Sequence, residues 1–236
     1  MSKYFIAGML AIVGCVSASA DSITYFTPSG SVEPADQTHP VDAEAIVTTG
    51  NGTVTLQLFD LLAAAQMHDA GQLLSDFFFT LSGTFGSVNN SNENTPTGTL
   101  INLTGGATGS IGTWGFSDST SGGSTTFHIT DLSGGQSPAQ TIIGGTPGES
   151  ASDYTNAGPS LTGNHNPFLQ GEEDFVFNIS GVTSSTQITS GVFSFGTTSD
   201  GNITGVATPE PKTVGLLLLA GAAMAFSFRR RRTVTE

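Results

Sequence analysis

The residues able to do chemistry are few, oxygen-rich and scattered. Four histidines, His39, His68, His128 and His165, are spread over 236 residues. None stands at the H-x-x-x-H or H-E-x-x-H spacing that places two imidazoles on one helical face around zinc. Each reads as a lone surface or turn histidine. His165 in "GNHNPF" stands out, because Asn164 and Asn166 flank it and asparagine side chains cap turns. A fixed loop is expected there, with Phe168 plugging the core. The densest acidic run is Glu172-Glu173-Asp174, and "SDGN" at 199–202 is a second oxygen-rich turn. Such groups suit Ca²⁺, a hard cation that takes oxygen ligands. Glu172, Glu173, Asp174 and Asp200 are the candidate ligands, although no D-x-D-x-D-G loop is present.

Catalytic constellations are weaker. A serine hydrolase of the strand–turn–helix kind needs a G-x-S-x-G elbow, and none occurs. A glycosidase needs two carboxylates with separated pKa values in one cleft. The acidic run at 172–174 sits just before a strand pattern and reads as a solvated loop. A carbohydrate-binding module needs exposed aromatic platforms. Trp114, Tyr25 and Tyr154 are the only Trp and Tyr beyond residue 20, and Trp114 in "GTWGF" is the candidate ligand contact. Its Phe and Ile neighbours argue instead for a half-buried strand position.

The elements that must position these residues are short strands. In "EAIVTTGNGTVTLQLF", Val54, Leu56 and Leu58 alternate with polar residues, and "GNG" supplies hairpin glycines. "DFFFTLSG" puts Phe77 and Phe79 on one face and Phe78 on the other. "DFVFNISG" aligns Phe175, Phe177 and Ile179, and "SGVFSFGTT" aligns Phe193 and Phe195. "TGTLINLTG", "GSIGTWGF" and "STTFHITDL" are further strands. "DLLAAAQMHDAGQLLSD", residues 60–76, reads as a helix capped by Asp60 and split by Gly71. "SGSVEPADQTHPVDA" and "VNNSNENTPTG" read as loops. The pattern predicts an all-β, antiparallel sandwich or jelly roll with a short helical insert.

The charge is arranged by position. Of six Lys and Arg, Lys3 lies near the start, and Lys212 and Arg229–Arg232 lie near the end. Residues 21–211 hold none, while 17 of the 19 Asp and Glu lie within 21–208. That region therefore repels nucleic acid and anionic lipid. Residues 1–20 read as a signal peptide: Lys3, an apolar run, and Ala18-x-Ala20 before a cleavage point at Asp21. Cys15, the only cysteine, falls inside it in a loose lipobox, "IVGC". After cleavage no disulfide can form, so the exported domain, 21–208, relies on its own core. Thirteen of the sixteen Phe lie there, which favours a packed core over a disordered chain.

Val214–Phe228 is uncharged and, as a helix, about 22 Å long. That is short of the roughly 30 Å hydrocarbon core, but Lys212 and Arg229 can snorkel. Arg229, Arg230, Arg231 and Arg232 then act as a stop-transfer cluster on the cytoplasmic side. Pro209-Glu210-Pro211, the apolar helix and the Arg cluster together make residues 209–236 resemble the PEP-CTERM sorting signal. Lys212 stands where that family usually carries a small residue. The resemblance implies export from a Gram-negative bacterium, transient anchoring in the inner membrane and processing by an exosortase-type enzyme at the tripeptide. It also implies residence at the cell surface or in an exopolysaccharide matrix. The stretch from "SDYTNAGPS" to "FSFGTT" is similar to exported proteins that carry such tails, and implies no activity. The expected function is therefore a non-enzymatic surface or matrix protein. A carbohydrate-binding module and a secreted glycan-active enzyme are the alternatives. Surface protein trimmed at both ends should resist trypsin even when denatured, because residues 21–211 hold no Lys or Arg. Chymotrypsin should digest the denatured protein freely. Tryptic release of peptides from 213–236 would show that the tail is retained.

Overall fold

The hairpin that the alternation predicts is the framework of one sheet. β2 (Ala43–Thr49) and β3 (Thr53–Asp60) pair antiparallel, with Thr49 opposite Val54. Gly52 takes a φ of +79°, a left-handed value that closes the turn without a Cβ clash. Val54, Leu56 and Leu58 are fully buried, so the face read from the sequence is the core face. The computed structural model describes residues 21–86, 95–132, 140–163, 165–198 and 201–208. Ala18, Ala20, Asp200, Pro209, Glu210, Pro211 and Arg229–Arg232 lie outside the described residues.

β1 (Asp21–Phe26), β10 (Glu172–Asn178) and β13 (Val206–Thr208) complete this five-stranded sheet, in the order β10-β3-β2-β1-β13. The facing sheet is built on β4 (Leu74–Ser82). β4 pairs with β11 (Ile188–Phe195) on one side and β7 (Ser124–Thr130) on the other. β6 (Gly115–Ser121) forms a hairpin with β7 through Gly122 and Gly123, at φ +60° and +80°. Short strands extend the sheet: β5 (Leu100–Ile101), β8 (Ile142–Ile143), β9 (Phe168–Gln170) and β12 (Asn202–Thr204). Among the described residues all strand pairings are antiparallel except β8 with β9. The two sheets share one apolar core, in which Val47, Leu56 and Phe175 of the first meet Phe77, Phe127 and Phe193 of the second. The protein is thus all-β and sandwich-like. Phe77 and Phe79 point inward, whereas Phe78 is half-buried outside and stacks on His128 at 3.9 Å.

The helix expected over 60–76 does not form. Asp60 ends β3, and its carboxylate accepts from Leu62 N. Two single 3₁₀ turns follow, Ala64–Gln66 and Ala70–Gln72, and the stretch ends inside β4. Glutamine side chains fold back on the chain: Gln66 accepts from Ala63 N at 3.0 Å, and Gln72 from His68 N at 2.6 Å. Asp69 between the turns is extended, at φ −150° and ψ 176°. Burial of Leu62, Met67 and Leu73 in a second apolar cluster holds this shape against the helix preference of the alanines. The one α-helical turn described is α1 (Pro159–Thr162). Among the described residues no helix is long and apolar enough to cross a membrane.

Candidate functional site

The acidic run does not converge. It lies at the start of β10, where side chains alternate between faces. Glu172 is exposed, and Asp174, half-buried, accepts a hydrogen bond from Gln57 at 2.8 Å. Glu173 turns inward and is fully buried, with no hydrogen-bond partner for either carboxyl oxygen among the described residues. Gly98 lies directly against that carboxyl, and a Cβ there would collide with it. Burial, and then the charges of Asp174 and Glu172, push the Glu173 carboxyl up to about 9. Trp114 is 1% exposed and meets Phe175 edge-on at 5.3 Å, so it offers no stacking surface to a sugar. His165 is half-buried. Its neighbour Asn166 fixes the loop by accepting from Leu103 N at 2.7 Å and donating to Leu161 O at 2.6 Å. Phe168 is fully buried beside it in the chain, as expected.

A second acidic group lies at one end of β4. His128 Nε2 meets Asp76 Oδ1 at 3.0 Å, and Ser75 Oγ donates to Asp76 Oδ2 at 2.8 Å. Serine and histidine both face the carboxylate. Nucleophile activation needs the histidine between the other two, so this is not a hydrolase relay. Asp131, buried nearby, donates its N–H to Ser75 O at 3.1 Å, while its carboxyl oxygens have no hydrogen-bond partner among the described residues. Burial first, and the charge of Asp76 second, raise that carboxyl to about 7.

The tightest constellation is one the sequence reading dispersed. Glu33, Thr38 and His39 belong to the loop between β1 and β2. Asp69 belongs to the connection between β3 and β4. The loop closes on itself through Glu33 N to His39 O at 2.9 Å, and on the Glu33 carboxylate. Glu33 Oε1 accepts from His39 N and from Thr38 Oγ1, both at 2.9 Å. His39 Nδ1 then lies 2.8 Å from Glu33 Oε1 and 2.9 Å from Asp69 Oδ2. Asp69 is held from behind, because its Oδ1 accepts from Gly71 N at 2.8 Å. Gln72 ties the connection to the loop by donating to Pro40 O at 2.9 Å. Gly71 has a close-approach role: a Cβ there would collide with Glu33 Oε2. His68 stacks on His39 at 4.6 Å, so two histidines read as lone are neighbours.

Glu33 is 1% exposed. Its carboxyl is raised by burial and by contact with Asp69 and Asp36, against the lowering from Thr38 and His39. Burial alone lowers the His39 imidazole, but the bond to Glu33 and the charges of Asp69 and Glu33 outweigh it and hold it above the usual histidine value. Glu33, His39 and Asp69 each offer one ligand atom, all within 4.8 Å of one another. The overlooked signal was the spacing Glu33-x-x-Asp36-x-x-His39 inside a stretch read as loop.

Neither protein-family models, nor curated proteins, nor solved structures contain a match to this chain.

Glu173 gives a pH dependence with a definite sign. The unfolded carboxyl releases its proton near 4.5, and the folded one near 9. Between these values the folded state binds the extra proton. Its contribution to stability is full below the lower value and falls as pH rises, by up to about 1.4 kcal/mol per pH unit. Glu173→Gln should flatten that decline, measured by denaturant unfolding at about pH 5, 7 and 9. An unchanged slope would show that Glu173 is ionised in the folded protein.

Proposed function

We propose that this chain is a non-enzymatic protein of the cell surface or extracellular matrix, exported from a Gram-negative cell as a jelly-roll-like β-sandwich. Residues 1–20 direct export. The apolar segment at 214–228 and Arg229–Arg232 hold the chain in the inner membrane, and an exosortase-type enzyme acts at Pro209-Glu210-Pro211. Extracellular polysaccharide is the matrix partner.

One observation carries the reading: β1 and β13, the first and last strands among the described residues, lie side by side in one sheet. The two strands are antiparallel neighbours, with Thr24 opposite Thr208, so both ends of the domain lie at the same end of one sheet. All three residues of β13 are exposed on the sheet edge. Extended, exposed chain leading into two prolines is a shape a processing cleft can take. Charge supports the same reading. A strongly acidic domain without Lys or Arg is soluble outside the cell and unsuited to nucleic acid.

Intact-mass measurement of protein from the native cell surface should give an N-terminus at Asp21 and a C-terminus near Pro209–Pro211. Replacing Arg229–Arg232 with Ser should abolish the processed C-terminus, since the stop signal is gone. Surface protein that keeps 212–236, or a variant processed like the wild type, would contradict the sorting reading.

A further inference from the structure

The cluster of Glu33, His39 and Asp69 has the composition of a cation site. One imidazole nitrogen and two carboxylate oxygens, from two separate connections, lie within 4.8 Å of one another. A third oxygen, Thr38 Oγ1, lies 3.2 Å from His39 Nδ1 and 2.9 Å from Glu33 Oε1. Asp36 backs the group, with its carboxylate against Thr38 Oγ1 and its Oδ1 accepting from Thr38 N at 3.0 Å. A surface acidic cluster would spread its charges into water. Here Glu33 is 1% exposed and is held against the other carboxylates by Gly71, whose missing side chain leaves room for Glu33 Oε2. An independent observation points to a ligand. Residues 21–208 contain no Lys or Arg, so nothing in the domain supplies a permanent positive charge to a buried carboxylate. A protonated His39 balances one of the two charges it faces. A divalent ion balances both.

The ligand set selects among cations. Ca²⁺ and Mg²⁺ prefer oxygen alone, whereas an imidazole with carboxylates suits Zn²⁺ and its first-row neighbours. We infer that Glu33, His39 and Asp69 bind one divalent transition-type cation, with Zn²⁺ the reference ion. The ion takes the place of the proton that His39 Nδ1 shares with the two carboxylates. Glu33 and His39 lie between two strands of the five-stranded sheet. Asp69 lies on the chain that crosses from that sheet to β4 of the other. The ion therefore cross-links the β1–β2 loop to the inter-sheet connection, in a domain, 21–208, that holds no cysteine. Its role is that of a clamp.

The test is calorimetric titration of the full chain in mild detergent, first stripped with a chelator, with Zn²⁺ and Ca²⁺ in parallel. One Zn²⁺ per chain is expected, with Ca²⁺ weaker. His39→Ala and Asp69→Asn should each weaken Zn²⁺ binding at least about tenfold. Asp118→Asn, a change on β6, should leave binding unchanged. A second measurement needs no variant. Zn²⁺ should shift the ring resonances of His39 and His68 in the wild-type protein and leave those of His165 in place. Absence of Zn²⁺ binding, binding untouched by His39→Ala in a folded variant, a shift at His165 alone, or Ca²⁺ bound as tightly as Zn²⁺ would each overturn the assignment.

Discussion

The absence of any fixed positive charge between residues 21 and 208 governs the rest of the structure. A folded domain of this size buries some carboxylates. Elsewhere lysine or arginine compensates them, because an unpaired buried charge is costly. Here the chain itself has three other devices. The carboxyl can hold its proton to higher pH, the direction in which burial moves Asp60, Asp131 and Glu173. It can collect neutral donors, as Asp69 does from Gly71 N and Asp76 does from Ser75 Oγ. Or it can turn to histidine, and every ion pair among the described residues uses His39 or His128. The Glu33 cluster uses the last two together.

The same constraint links fold to address. Basic residues flanking an apolar segment fix which side of a membrane they stay on. A chain that confines them to its two ends leaves an exported domain that is uniformly anionic, and that domain must then be stabilised by apolar burial. The shared core of the two sheets supplies it. Phe77, Phe79, Phe127, Phe175, Phe177 and Phe193 all lie buried within it.

Much of that core was legible, because strand alternation is a period-two signal that needs no partner to be read. The inward faces of β3, β4, β10 and β11 follow from Val54-Leu56-Leu58, Phe77-Phe79, Phe175-Phe177 and Phe193-Phe195. β6 was placed too early, since the glycines around Trp114 hid the strand and the polar "SDSTS" within it carries no apolar face. The helix at 60–76 was misread because its alanines favour a helix in isolation, while burial of Leu62, Met67 and Leu73 decides the outcome. The Glu33–His39–Asp69 site was hidden for a different reason. Its ligands come from two connections brought together only when β1–β3 and β4 take their places. Sequence distance is a poor guide there, and glycine at 71, read as a helix breaker, gives the space Glu33 needs.

The account stands or falls on how the folded domain carries its negative charge. Potentiometric titration of the mature, metal-free protein measures this directly, in the native state and in denaturant, from about pH 5 to 8. The native state should bind more protons than the unfolded chain across this range, with a surplus of at least about two near pH 5.5. Equal or lower proton binding in the native state would mean that Asp131 and Glu173 are ionised inside the fold, and would contradict the account.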